Sequence, residues 1–105
     1  MRLDERSDGA RVRLRVGDRL ELALPENPST GFRWQWTEPG APVCRLEEDR
    51  FEPGGPGVGA RGHRLLVLAV AGPGAARLAL VLRRSWEPEA ARAFTVEVEA
   101  APATP

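Results

Sequence analysis

Apolar side chains recur at every second position along most of this chain, the period of a β-strand that buries one face. Val12, Leu14 and Val16 alternate with Arg11, Arg13 and Arg15. Past a Gly17-Asp18 turn, Leu20, Leu22 and Leu24 resume the pattern against Arg19, Glu21 and Ala23. Phe32, Trp34 and Trp36 alternate with Arg33, Gln35 and Thr37, which assigns Trp34 and Trp36 to the core. Residues 43–51 hold Val43 and Leu46 out of step, so this segment is expected at a sheet edge or carrying a bulge. Residues 65–70 form a nearly continuous apolar run, as a central strand buried on both faces requires. Leu78, Leu80 and Leu82 mark the next strand, and Phe94, Val96 and Val98 the last. About seven strands at spacings of about 8–12 residues predict two sheets packed face to face, with loops gathered at the two ends. Ten prolines and eleven glycines punctuate the chain too often for regular helices.

Composition narrows the picture without changing it. A length of 105 residues fits one domain, 1–105, with short disordered tails expected at 1–9 and 100–105. Fifteen basic and fifteen acidic residues cancel, and every basic residue is arginine. The absence of lysine reads as codon bias; with no basic block, a nucleic-acid partner is not expected. Cys44 is the sole cysteine, so no internal disulfide forms and packing alone must hold the fold. The polar, charged start offers no apolar run for a signal peptide, and no stretch approaches the roughly 20 apolar residues of a membrane span. A cytoplasmic protein without membrane contact is therefore expected; a periplasmic or secreted location would require a leader preceding residue 1.

Three segments depart from the strand pattern. The first is Asn27-Pro28-Ser29-Thr30-Gly31-Phe32, between the second and third predicted strands. Pro28 fixes its own φ and restricts Asn27, while Gly31 permits a positive φ, so the loop is pre-shaped with two hydroxyls near its tip. Taken alone, it is also a composition that simple turns favour. The second segment runs from Gly54 to Gly62 with five glycines, where backbone can approach another backbone closely; alone, it could equally be a flexible excursion. It is no phosphate-binding P-loop, because the Lys-Ser/Thr pair and following helix are missing. The third is Arg83-Arg84-Ser85-Trp86-Glu87-Pro88, where Trp86, beside Pro88 and charged residues, breaks the apolar register and is expected exposed.

In this order the three segments resemble the loops of the chagasin family, inhibitors of papain-like cysteine proteases. That family carries an Asn-Pro-Thr-Thr-Gly-Tyr/Phe loop, a glycine-rich loop and an Arg-Pro-Trp/Phe loop. Residues 27–32 match the first, with Ser29 in place of Thr. Val58, Gly59, Ala60, Arg61 and Gly62 resemble the second, with Arg61 where glycine is usual. Arg84, Ser85 and Trp86 match the third, with Ser85 in place of Pro. The resemblance spans about residues 12–98 and implies an immunoglobulin-like β-sandwich of about seven to eight antiparallel strands. It implies a monomer whose three loops share one end and block a protease cleft reversibly, without covalent chemistry and without a cofactor. The first loop would sit nearest the catalytic cysteine and histidine, the glycine-rich loop would pair backbone with the non-primed side, and Trp86 would pack on the primed side. The competing reading is an immunoglobulin-like structural or interaction module that assembles through a sheet edge.

Catalysis is not expected. Cys44 on a weak strand reads as a small buried residue, and His63 as a solvated strand end; nothing in their placement signals a thiol nucleophile beside an oriented base. One Cys and one His without a carboxylate cluster do not make a metal site.

Overall fold

The computed structural model describes residues 1–54 and 61–104. The strands are β1 (Arg2–Asp4), β2 (Ala10–Arg15), β3 (Arg19–Glu26), β4 (Phe32–Pro39), β5 (Cys44–Pro53), β6 (Gly62–Val70), β7 (Gly74–Arg84) and β8 (Arg92–Ala101). They form two four-stranded sheets with spatial orders β1-β3-β6-β5 and β2-β8-β7-β4.

The alternation read from the sequence becomes the interface between these sheets. Leu20, Leu22 and Leu24 of β3, and Leu66 and Leu68 of β6, face Leu78 and Leu80 of β7, and Phe94, Val96 and Val98 of β8; each is almost fully buried. Removing such a side chain from water stabilises the fold by roughly 1.5–3 kcal/mol, so this slab can hold the domain without a cross-link. Trp34 is buried with them, and Trp36 packs against the cluster from its margin. β6 lies between β3 and β5, and Leu65 and Val67 are buried on its outer face as well, which explains its unbroken apolar run. The segment read as edge or bulged is both: β5 closes one side of its sheet, and its register with β6 shifts between Leu46 and Glu48.

Two expectations need correction. The sandwich is mixed rather than all antiparallel, because β1 runs parallel to β3 and β2 parallel to β8. A 3₁₀ turn at Glu5–Ser7, followed by Gly9 at φ +82°, carries the chain from the edge of one sheet to the edge of the other. Parts of both ends, Arg2–Asp4 and the last residues of β8 through Ala101, are also strand where disorder was expected. Met1 accepts from the amide of Glu21 at 2.9 Å, β8 continues through Ala101, and Arg15 donates to the Thr104 hydroxyl at 2.9 Å. Edge pairing with a neighbouring strand orders these polar ends, a long-range gain that local composition does not carry.

Candidate functional site

β3 belongs to one sheet and β4 to the other, so residues 27–31 must cross the end of the sandwich. The crossing is a single 3₁₀ turn, Pro28–Thr30, started by Asn27 and ended by Gly31. The Asn27 side-chain oxygen accepts from the Ser29 amide at 3.1 Å and the Ser29 hydroxyl at 2.7 Å. The Asn27 carbonyl accepts from the Thr30 hydroxyl at 2.8 Å and the Thr30 amide at 3.2 Å, and the Pro28 carbonyl accepts from the Gly31 amide at 3.4 Å. Gly31 stands at φ +80°, in the left-handed region that side-chain-bearing residues avoid. Asn27, Pro28 and Gly31 therefore fix the shape, and Pro28, Ser29 and Thr30 form an exposed tip.

The third segment lies directly against this tip. Phe32 of β4 pairs in register with Arg84 of β7, which places the two loops side by side. The Arg84 guanidinium lies 4.3 Å from the Phe32 ring centroid and 5.9 Å from that of Trp86. Its Nε donates to the Thr30 carbonyl at 2.9 Å, and Nη1 reaches Glu87 at 2.9 Å. The Glu87 amide donates to the Arg84 carbonyl at 3.2 Å, closing a turn that projects Ser85 and Trp86. Trp86 is 69% exposed, as its broken register predicted. Its ring nonetheless lies over Gly31, where a Cβ would come within 2.6 Å of the ring edge. Arg84 is thus the hub joining two loops, and Phe32 the platform beneath it.

Of the glycine-rich segment, Val58, Gly59 and Ala60 lie outside the described residues. Its two ends are placed: the Gly54 amide donates to the Arg61 carbonyl at 2.9 Å, and Gly62 pairs with Pro53 on one side and Glu26 on the other. Gly62 is buried against the Phe51 ring, where a Cβ would come within 2.6 Å, so the close approach demands glycine. Since Glu26 immediately precedes Asn27, the base of this hairpin abuts the base of the first loop. Pro25, Glu26, Asn27, Thr30, Phe32, Arg61, Gly62 and Leu82 enclose a mainly apolar hollow of about 190 Å³ between them. The described parts of all three segments therefore gather at one pole.

Sequence reading missed what supports this pole. Glu26 is the one buried charged residue among those described. Its Oε1 accepts from Arg64 Nη2 at 2.6 Å, and its Oε2 from the Trp34 amide at 3.1 Å and from Arg64 Nε at 3.4 Å. Arg64 also reaches Asp49 at 3.2 Å, and the bond from Glu26 holds its guanidinium pKa above the ordinary arginine value. The signal was available: Glu26 and Arg64 occupy inward positions in the alternation of β3 and β6, where an unpaired charge could not stay.

The Cys44–His63 pairing fails on geometric grounds. Cys44 pairs with Val70 and His63 with Glu52, at opposite ends of the β5–β6 ladder, so they cannot form a dyad. Burial also pushes the Cys44 thiol above its ordinary pKa, away from thiolate. No metal-holding cluster of His, Cys, Asp or Glu occurs among the described residues, and no helix there is long and apolar enough to cross a membrane.

Residues 13–98 match the family described as Chagasin family peptidase inhibitor I42. The chain is 30% identical over 84 residues to Chagasin of Trypanosoma cruzi, covering 75% of this chain and 76% of that protein. It is 31% identical over 101 residues to Amoebiasin-1 of Entamoeba histolytica, covering 93% and 97%. The crystal structure of the cysteine protease inhibitor EhICP2 from Entamoeba histolytica superposes with a TM-score of 0.87 at 27% identity, over 95% of this chain and 94% of that one. A family match over residues 13–98, a relative 31% identical across nearly its whole length and a superposing sandwich place this chain in the chagasin family of peptidase inhibitors.

Proposed function

We propose that the chain inhibits papain-like cysteine proteases reversibly and without covalent chemistry, by seating the pole formed by residues 27–32, the 61–62 end of the glycine-rich segment and residues 84–86 in the active-site cleft. The observation that carries this reading is the Arg84 hub, which ties the first loop to the tryptophan loop before any partner arrives. Ordering a side chain on binding costs about 0.5–1.5 kcal/mol, and here much of that ordering is complete in the free protein. Exposed Trp86 supplies the kind of aromatic anchor that dominates interface energetics.

Resistance to cleavage follows from the curl of the first loop. A protease attacks a carbonyl presented in extended backbone. The carbonyls of Asn27, Pro28 and Thr30 instead accept hydrogen bonds from Thr30, Gly31 and Arg84. The cleft would meet the blunt hydroxyls of Ser29 and Thr30, with no peptide bond aligned for attack. Edge-to-edge assembly, the competing reading, finds less support. The outward Trp34 amide of edge strand β4 is already taken by Glu26, and edge strand β5 is bulged and charged.

The test is titration of papain and a cathepsin with the purified protein. Reversible inhibition at near-stoichiometric ratio is expected, and Trp86→Ala should weaken it by roughly 1–3 kcal/mol, about fivefold to more than a hundredfold. Several papain-like enzymes remaining fully active at equimolar protein would refute the proposal.

A further inference from the structure

The rim is built on two different sheets, and few bonds tie those sheets together at its base. The glycine-rich segment joins β5 to β6, both in one sheet. The tryptophan loop joins β7 to β8, both in the other. Arg84 fastens the tip of the crossing loop to the second sheet, through Thr30 and Phe32. No ladder links β3 to β4. Among the described residues, two hydrogen bonds join those strands: the Trp34 amide to Glu26 Oε2 at 3.1 Å, and the Trp34 indole Nε1 to the Pro25 carbonyl at 2.9 Å.

We propose that Glu26, held by Arg64 and bonded to the Trp34 backbone, is a strut between the sheets that sets the spacing of the Arg61–Gly62 hairpin base from the Trp86 loop, making Glu26 and Arg64 positioning residues for inhibition. The placement fits the task. Glu26 pairs by its backbone with Gly62 at the base of the glycine-rich hairpin, precedes the crossing loop in sequence, and grips by its side chain the strand that follows that loop. Its side chain is 1% exposed and that of Arg64 17%, so desolvation makes the pair costly. Replacing such a pair with apolar residues of similar volume is often neutral or stabilising, so stability alone does not account for it. Orientation does: a buried carboxylate with three donors on two sheets permits one relative placement of those sheets, which apolar contact would leave free to slide.

This inference rests on the inhibitor reading, and the test separates the two. In E26L/R64M both charges go and the volume stays. The variant should remain folded with a melting temperature within about 5 °C of the parent. Its inhibition constant for papain should rise about tenfold, chiefly through faster dissociation, the size carried by one buried hydrogen bond. Hydrogen exchange at the Trp34 amide should accelerate by about tenfold or more. An inhibition constant within about twofold of the parent, or a Trp34 amide as protected as before, overturns the strut. If E26L/R64M fails to fold, E26Q keeps the side-chain volume and removes one of the two acceptor oxygens that hold Arg64 and the Trp34 amide. It should weaken inhibition by about threefold or more, and an unchanged constant overturns the proposal. A parent protein that does not inhibit papain defeats the inhibitor reading instead, and the exchange measurement then decides whether Glu26 holds β4.

Discussion

Replacing Gly31 with alanine separates backbone strain from loop contact at the pole. At φ +80° an alanine costs about 1–2 kcal/mol relative to glycine, because its Cβ crowds the following carbonyl. The same Cβ would stand 2.6 Å from the Trp86 ring edge, against an ordinary carbon contact of about 3.5–4.0 Å, so the ring must retreat by about 1 Å. Trp86 is 69% exposed and can swing outward, so the clash displaces the ring rather than straining the core. Urea and thermal unfolding should therefore show a loss of about 1–2 kcal/mol for Gly31→Ala, a fall of about 4–8 °C per kcal/mol in a domain of this size. In a Trp86→Ala background the same substitution should cost about as much stability, since the φ penalty remains. Inhibition should behave differently: Gly31→Ala should weaken papain binding about tenfold when Trp86 is present and by less than about threefold when it is absent. Unfolding and inhibition both unchanged in Gly31→Ala would refute the reasoning, as would an equal inhibitory loss in both backgrounds.

Two other perturbations probe the site and the core. Arg84→Ala removes the bond to Thr30, the stacking on Phe32 and the pair with Glu87. It should raise the papain inhibition constant by about tenfold to a hundredfold while costing less than about 2 kcal/mol in urea unfolding, because the hub is partly solvated. Arg84→Lys should recover little of that affinity, since an ammonium cannot both stack on the ring and donate in the guanidinium's plane. For Cys44, burial raises the folded-state pKa, so as pH rises the unfolded thiol ionises first. The stabilisation is complete below the unfolded pKa and is lost above about pH 8.5–9, a decline that should be absent from the unfolding free energy of Cys44→Ala. A native thiol that a disulfide reagent modifies as fast as the unfolded one would contradict its burial.

The chain by itself determined the strands, because the two-residue period of side-chain direction is a local property of extended backbone. Which residues face inward was legible for Leu20, Leu22, Leu24, Trp34, Leu80 and Val96, and so were the bulged edge at β5 and the exposed Trp86. Asn27, Pro28 and Gly31 announced a locked turn, since capping and left-handed backbone are decided within a few residues. Tertiary structure alone decided which strand lies beside which. Parallel pairing of β1 and β2 with β3 and β8, and the ordering of both chain ends, depend on contacts remote in sequence. Tertiary structure also gave Arg84 its role as a hub, by setting Phe32 opposite it, and joined Glu26 to Arg64 across 38 positions of chain. The physical reason is common to all of these: alternation fixes the face a side chain takes, and only closure of two sheets over one core fixes its neighbour.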